Sequence, residues 1–272
     1  MSNWISGNEE ALAERAAAFI TATAYRAVAE RGRFTLSLSG GSTPKLLYEQ
    51  LARGVHQNQF EKFGYSVPAG VRRSVQDHEA LTLPWRATFL FQGDERYLPA
   101  SNPDSNYGMV KSTLMRLAPI RRENFIAMPV ESGDPEADAL RYEEELRTFF
   151  RKGTTGSPAS FPSFDLVMLG LGDDGHTASL FPEDNRALEE RERWVVAVNA
   201  PHANPPCSRL TLTLPVINQA RGVMFLVPAA RSGLARSISE GTRPELPAGM
   251  VRPVNGQTIW FVADPSPESR QP

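Results

Sequence analysis

The run FDLVMLG, residues 164–170, has almost no polar residues alternating with its apolar ones. A strand of this kind is buried on both faces, as strands are in parallel sheets that helices cover on both sides. Similar apolar runs occupy residues 222–228 and 258–264. Amphipathic helices alternate with the strands, most clearly over residues 8–31 and 138–151. This alternation predicts an α/β sandwich with a largely parallel central sheet.

The chain shows no internal repeat and no convincing linker, so we predict one domain over residues 1–264. Residues 54–83 are polar, rich in turn residues and weakly periodic, which predicts an insertion or a long loop. Residues 265–272 are rich in Pro and Ser and are expected to form a frayed tail. Further strands are expected at residues 33–39, 85–92, 193–200 and 209–215, with helices at about 44–53 and 230–240 and a turn followed by a helix over 102–117.

Composition excludes several classes of function. A formal net charge of -2 gives no reason to expect a nucleic-acid partner. No apolar run approaches the roughly 20 residues of a membrane span, and the N-terminus lacks the pattern of a signal peptide. Cys207 is the one cysteine, and no H-x-x-x-H or H-E-x-x-H pattern occurs, so we expect no disulfide and no metal site. A cytoplasmic protein is expected.

Unusual polar segments follow three of the expected strands: residues 39–44 (SGGSTP), 93–96 (GDER) and 170–177 (GLGDDGHT). Ligands of open α/β sheets bind beyond the carboxyl ends of the strands. The three segments together therefore predict one binding site.

The segment SGGSTP has the properties of a phosphate site. Paired glycines let the backbone approach a ligand, and a following helix directs free N–H groups outward, with Thr43 suited as its N-cap and Pro44 as its first residue. Walker A spacing is missing, and a tight turn before a well-capped helix remains an alternative. Residues 42–45 also fit the S-x-x-K pattern of serine acylases, but its companion motifs are absent.

Two further segments could contact an anionic substrate. Asp94, Glu95 and Arg96 offer carboxylates for acid/base chemistry and a guanidinium suited to phosphate, although a solvated charged turn is the alternative. Arg209 is a possible phosphate ligand or else a surface arginine at a strand end.

The segment GLGDDGHT contains the G-x-G-x-x-G spacing of dinucleotide-binding loops. That interpretation requires a long helix next, but Pro182 follows too closely, and Asp173 and Asp174 would repel a pyrophosphate. We therefore interpret the segment as a turn that presents Asp174 and His176. Histidine can accept and return a proton near neutral pH, and a neighbouring carboxylate can fix its tautomer.

The segments LSLSGGSTP, FQGDERYLPASNPDSNYGM, FDLVMLGLGDDGHTASLFP and SRLTLTLPVIN together resemble the glucosamine-6-phosphate isomerase/6-phosphogluconolactonase superfamily, in its lactonase branch. The resemblance covers most of the chain in order. It implies a three-layer sandwich with a Rossmann-like parallel sheet, a sugar-phosphate substrate and no cofactor. The implied reaction is hydrolysis of 6-phosphoglucono-1,5-lactone, the second step of the oxidative pentose phosphate pathway.

The resemblance also implies roles for particular residues. The family's general base falls on His176 with Asp174 beside it, and the proton-transfer acid of the sister isomerases falls on Asp94. Phe181 stands where those isomerases have a glutamate, which favours the lactonase. A lysine of many family members, expected to help hold the phosphate, is missing, and Arg231 is its nearest substitute. The implied phosphate ligands are Gly40, Gly41, Ser42, Thr43 and Arg96.

Three other functions remain as alternatives: a glucosamine-6-phosphate isomerase or deaminase, a sugar-phosphate sensor without catalysis and, as the weakest of the three alternatives, an NAD-dependent dehydrogenase. A small-molecule substrate is expected for the enzyme, with the chain acting as a monomer or a weak dimer.

Overall fold

The computed structural model describes residues 3–66, 80–151 and 161–265. Its strands are β1 Asn3–Gly7, β2 Phe34–Leu38, β3 Val55–His56, β4 Ala80–Leu81, β5 Thr88–Gln92, β6 Asp94–Arg96, β7 Phe125–Ile126, β8 Leu166–Leu169, β9 Val195–Ala200, β10 Cys207–Leu212, β11 Gly222–Val227 and β12 Gln257–Ala263. Its α-helices are α1 Glu9–Arg31, α2 Lys45–Arg53, α3 Gln57–Lys62, α4 Asn106–Val110, α5 Pro135–Arg151, α6 Asn185–Leu188, α7 Leu214–Asn218 and α8 Ser232–Ser239.

The central sheet has seven strands in the order β1-β12-β11-β8-β2-β5-β7, and every neighbouring pair is parallel. A smaller antiparallel sheet has the order β6-β10-β9. Helices α1 to α4 cover one face of the central sheet, while α5 to α8 and the small sheet pack on the other. The predicted three-layer α/β sandwich is confirmed.

Alternate residues of the central strands enter the two cores, which explains why these strands are uniformly apolar. In β8, Val167 and Leu169 pack on the side of α5, whereas Leu166 and Met168 pack on the side of α1. Burying a side chain of this size contributes about 1.5–3 kcal/mol of transfer free energy.

A buried carboxylate fixes β8 beside β2. Asp165 Oδ2 accepts hydrogen bonds from the Thr35 backbone N–H at 2.8 Å and the Thr35 hydroxyl at 2.9 Å, and Asp165 Oδ1 accepts one from Arg31 Nε at 2.9 Å. The donors satisfy a charge that would be costly to bury alone. This contact sets the relative position of the two strands that lead into the site.

The helix predicted over residues 8–31 is observed as α1, Glu9–Arg31. Asn8 caps it, its side chain accepting a hydrogen bond from the Ala11 N–H at 2.8 Å, and Gly32 ends it in the left-handed conformation. Helix α5 begins a few residues before the predicted 138, at Pro135. None of the described helices is both long and apolar enough to cross a membrane.

Other local predictions were wrong. Thr43 does not cap α2, because Pro44 takes the N-cap position and offers no side-chain bond. Strand β1 was not predicted; it forms the sheet edge beside β12. Residues 85–87 form a 3-10 turn before β5 rather than its first residues.

The described parts of the segment 54–83, residues 54–66 and 80–83, are less irregular than their composition predicts. They contain β3, α3 and β4, and the side chains of Val55 and Phe60 are fully buried in the core beside α1. These two apolar side chains thus anchor the polar residues 54–66. Residues 67–79 of the predicted insertion and residues 266–272 of the predicted tail lie outside the described residues.

Candidate active site

The three polar segments meet at one edge of the central sheet. They follow β2, β5 and β8, and these strands lie side by side in the order β8-β2-β5 and run parallel. Their carboxyl ends therefore open on the same side, where ligands of α/β sheets bind.

The loop at residues 39–44 enters α2 with unsatisfied donors. In the described part of the chain, the backbone N–H groups of residues 40–43 have no hydrogen-bond acceptor. The Tyr48 hydroxyl donates to Ser39 O at 2.6 Å and so ties the loop to the helix that follows. Free amides at the positive end of a helix favour an anion.

Asn106 lies directly behind this loop. A Cβ atom on Gly40 would lie 1.8 Å from Asn106 Oδ1, so a glycine is required for the loop to pass the side chain. Asn106 Nδ2 donates to Asp94 O at 2.9 Å, which connects the loop to β6. Asn106 was not singled out in the sequence, although it lies within the quoted run DSNYGM.

The segment GDER is a strand rather than a solvated turn, so that alternative is wrong. Strand β6 pairs with β10, placing Asp94 opposite Thr211 and Arg96 opposite Arg209. Alternate residues of a strand point to opposite faces, so these four side chains share one face and Glu95 lies on the other. Adjacent residues of this short charged motif therefore point to opposite faces of the sheet, Asp94 and Arg96 to one and Glu95 to the other.

Glu95 is fully buried and organises the surrounding backbone. Its carboxylate accepts hydrogen bonds from the N–H groups of Arg96 at 2.8 Å and of Asn106 and Tyr107 at 2.7 Å, and from Gln92 Nε2 at 2.7 Å. Burial raises the pKa of Glu95 above its ordinary value, and these hydrogen bonds offset only part of the rise. Glu95 thus anchors the start of α4 to β6.

Asp94 is held by residues from two other segments. Its Oδ2 accepts a hydrogen bond from the buried Ser179 hydroxyl at 2.7 Å, and its Oδ1 lies 3.4 Å from Asn106 Nδ2. The Ser179 N–H donates to Thr211 Oγ1 at 3.2 Å. Ser179, which was not singled out in the sequence, joins the histidine loop to the small sheet.

His176 and Asp174 form a hydrogen-bonded pair. His176 Nδ1 lies 2.6 Å from Asp174 Oδ1, which also accepts the His176 backbone N–H at 3.0 Å. Burial disfavours the charged carboxylate, but the hydrogen bonds from His176 outweigh it and hold the pKa of Asp174 below its ordinary value. An ionised Asp174 keeps the proton on Nδ1 and leaves the Nε2 lone pair free to accept another.

The glycines of the G-x-G-x-x-G run serve this histidine. A Cβ on Gly172 would lie 2.1 Å from His176 Nδ1, so the ring packs directly on the glycine. Gly175 has a φ of +85° in the turn just before the histidine. The next helix, α6, is only four residues long and begins at Asn185, so the long helix of a dinucleotide site is absent from this part of the described chain.

Phe181 lies between His176 and Arg209. Its ring centroid is 4.7 Å from that of His176, and the Arg209 guanidinium carbon lies 5.8 Å from the same ring. Arg209 is 4% exposed, so the alternative of a surface arginine is wrong. Burial lowers the pKa of Arg209, and the nearby Asp94 charge partly opposes this.

The other arginines have different environments. Arg96 Nη1 donates to Asp104 O at 2.7 Å, while its buried Nε has no partner in the described chain. Arg231 forms a two-pronged ion pair with Asp173, at 2.6 Å and 3.2 Å. The hydrogen bond from Arg231 lowers the pKa of Asp173, so the Arg231 charge already has a partner beside the histidine loop.

Within the described ranges, no group of three or more His, Cys, Asp or Glu side chains is placed to hold a metal ion. The site instead combines free backbone N–H groups, two arginines, a clamped carboxylate and a carboxylate–imidazole pair. This set can bind a phosphorylated molecule and transfer a proton beside it.

Comparisons with known proteins agree with this chemistry. The family model for glucosamine-6-phosphate isomerases/6-phosphogluconolactonase matches residues 7–260. The chain is 38% identical to a 6-phosphogluconolactonase of Synechocystis over 268 residues, covering 97% of this chain and 96% of the relative. It is 36% identical to the human 6-phosphogluconolactonase over 234 residues, covering 85% and 79%.

Solved structures give the same result. A 6-phosphogluconolactonase from Thermotoga maritima superimposes with a TM-score of 0.75 at 25% identity, covering 97% of this chain and 100% of the other. One from Trypanosoma brucei gives a TM-score of 0.73 at 26% identity, covering 97% and 96%.

Proposed function

The chain belongs to the glucosamine-6-phosphate isomerase/6-phosphogluconolactonase family, and we propose that it hydrolyses 6-phosphoglucono-1,5-lactone to 6-phosphogluconate. This reaction is the second step of the oxidative pentose phosphate pathway. The observation that carries the proposal is the His176–Asp174 pair, packed on Phe181 at the sheet edge that also holds a loop of free amides.

The phosphate of the substrate binds where anion donors are concentrated. The N–H groups of Gly40, Gly41, Ser42 and Thr43 and the first turn of α2 face the phosphate oxygens. Arg96 supplies a guanidinium next to this loop. Its Nη1 donates a hydrogen bond to Asp104 O, and Asp104 lies two residues before Asn106, which packs against Gly40. The sequence-based assignment of Arg231 to the phosphate stays a prediction, since Asp173 already balances its charge.

His176 acts as the general base. Its Nε2 accepts a proton from a water molecule as the water oxygen forms a bond to the lactone carbonyl carbon, C1. The C1=O π electrons move onto the carbonyl oxygen. When they return, the bond between C1 and the ring oxygen breaks, and the ring oxygen takes the proton from His176. General-base assistance of this kind is worth about 10²–10⁴-fold.

Asp94 and Asp174 assist in different ways. Asp174 fixes the tautomer of His176 and stabilises the imidazolium that forms. Asp94, held by Ser179 and Asn106, accepts a hydrogen bond from the attacking water and so orients it toward C1.

The alternative of an amino-sugar isomerase is disfavoured because an apolar ring packs against the histidine. Phe181 is 5% exposed and carries no proton to exchange at a sugar carbon. A sensor without catalysis has no need of a carboxylate-oriented imidazole. We also propose a cytoplasmic location, which fits the single cysteine, Cys207. The proposed state in solution is a monomer or a weak dimer.

Two substrates decide between these functions. Freshly prepared 6-phosphogluconolactone should be consumed faster than its spontaneous hydrolysis, with release of one proton per molecule, and glucosamine 6-phosphate should yield no ammonia. Ammonia release, or a lactone rate equal to the spontaneous one, would reject the lactonase.

A further inference from the structure

Arg209 is a buried cation whose donors are largely unused. Among the described residues its side chain makes no ion pair, and its hydrogen bond runs from Nη2 to Pro205 O at 3.0 Å. Its buried Nε has no partner. A guanidinium has five N–H donors, and the nearby Asp94 charge offsets only part of the cost of burying this one. A group of this kind indicates an anion that the site receives only with its ligand.

Arg209 also lies opposite another cation. It faces Arg96 across the β6–β10 pair, and side chains directly opposite in an antiparallel pair have Cβ atoms about 4.5–5.5 Å apart. Like charges in this position repel one another unless negative charge lies between or beside them. Both arginines have a buried Nε without a partner in the described chain.

The two guanidinium groups lead toward different ends of the site. Arg96 reaches Asp104 O, next to Asn106 and the Gly40 loop. Arg209 instead lies over Phe181, whose ring contacts His176. One arginine is therefore beside the free amides and the other beside the proton acceptor.

The substrate of the proposed function carries negative charge at its C6 phosphate and develops a second negative charge at C1 during the reaction. Its C6 phosphate and its C1 carbonyl are attached on either side of the ring oxygen. The phosphate carries charge throughout, while the carbonyl oxygen gains charge only as water adds to C1. Donors placed where charge develops lower the barrier more than they strengthen substrate binding.

We propose that Arg209 is a catalytic residue whose guanidinium donates hydrogen bonds to the lactone carbonyl oxygen and stabilises the oxyanion formed at C1. The proposal rests on the proposed lactonase function, and it replaces the sequence-based assignment of Arg209 to the phosphate. No proton leaves Arg209: the oxyanion electrons re-form the C1=O bond as the bond from C1 to the ring oxygen breaks.

The kinetic test uses Arg209→Lys and Arg209→Met, with Arg53→Lys on the exposed end of α2 as a matched control. We expect Arg209→Met to lower kcat by about 10²–10³-fold, the usual effect of losing an oxyanion donor. Arg209→Lys should recover part of this loss. The inhibition constant of inorganic phosphate should stay within about twofold of wild type in both variants. A raised phosphate inhibition constant with kcat retained, or unchanged kinetics, would overturn the proposal.

A second test uses the wild-type protein and does not depend on turnover. Calorimetry would compare 6-phosphogluconate, which has a carboxylate at C1, with glucitol 6-phosphate, which has a neutral alcohol there. We expect the carboxylate compound to bind at least tenfold more tightly, and this preference to shrink in Arg209→Lys. Equal affinities in the wild type would contradict a cation at the C1 end. An inactive wild type would reject the lactonase function, while the calorimetry would still decide whether Arg209 faces this anion.

Discussion

Asn106 and Gly40 are packed so closely that any side chain on Gly40 would occupy the position of the Asn106 carboxamide. Asn106 also donates to Asp94 O and, through its backbone N–H, to Glu95 Oε1 at 2.7 Å. Asn106 therefore positions both the loop at residues 39–44 and β6, the strand that carries Asp94 and Arg96.

This packing predicts coupling between Gly40→Ala and Asn106→Ala. Gly40→Ala alone should raise KM for the phosphorylated lactone at least tenfold, because the loop must move. In the Asn106→Ala background, Gly40→Ala should raise KM much less, because the clashing atoms of Asn106 are gone. Steady-state kinetics of both single variants and the double variant measure the interaction. Effects that simply add would show that the contact does not set the position of the loop.

Ser179→Ala tests whether the clamp on Asp94 matters for catalysis. The variant leaves Asp94 Oδ2 without its 2.7 Å donor, so the carboxylate is free to rotate away from the reacting water. We expect kcat to fall at least tenfold while KM changes less than threefold. Thr113→Val, which removes a buried hydroxyl that donates to Met109 O at 2.8 Å, is the control. A KM effect without a kcat effect would place Ser179 in substrate binding instead.

The lowered pKa of Glu143 makes the free energy of unfolding depend on pH. Glu143 is buried, and burial alone would raise its pKa, but hydrogen bonds from Arg193, Arg147 and the N–H groups of residues 194 and 195 hold the pKa below its ordinary value. A lowered pKa in the folded state means that the contribution to stability is present above the ordinary pKa of glutamate and is lost as the pH falls through the lowered one.

Glu143→Gln should therefore lower the free energy of unfolding at neutral pH by about 1–3 kcal/mol, since the charge-assisted hydrogen bonds from Arg193 and Arg147 are weakened while Arg193 keeps its ion pair with Glu136. The difference in free energy of unfolding between the variant and the wild type should become smaller as the pH falls into the acid range. Urea unfolding at several pH values measures this difference. A difference that does not depend on pH would show that Glu143 contributes through packing alone.

The sequence predicted the fold and the meeting of the three polar segments because both depend on local patterns. The apolar run at 164–170 identified β8, and the three polar segments marked the ends of β2, β5 and β8. The three segments meet because the carboxyl ends of neighbouring parallel strands lie at the same edge of the sheet. The residues His176 and Asp174 lie two positions apart, so their contact could be anticipated from the turn between the glycines.

The remaining features depend on contacts between distant segments. The roles of Asn106 and Ser179 come from packing on Gly40 and Asp94, which no spacing reveals. Glu95 was not separated from its neighbours because the pairing of β6 with β10, and hence the alternation of its faces, was not predicted. The residues 54–66 were described as irregular because Val55 and Phe60 are isolated apolar anchors in a polar segment.

In the proposed mechanism His176, oriented by Asp174, removes a proton from the attacking water. The decisive measurement is lactone consumption by wild type, His176→Asn and Asp174→Asn, with spontaneous hydrolysis subtracted. We expect kcat to fall by about 10²-fold or more in His176→Asn and substantially in Asp174→Asn, with KM nearly unchanged, because general-base assistance is lost while the phosphate site is intact. Full activity in a folded His176→Asn variant would contradict the mechanism.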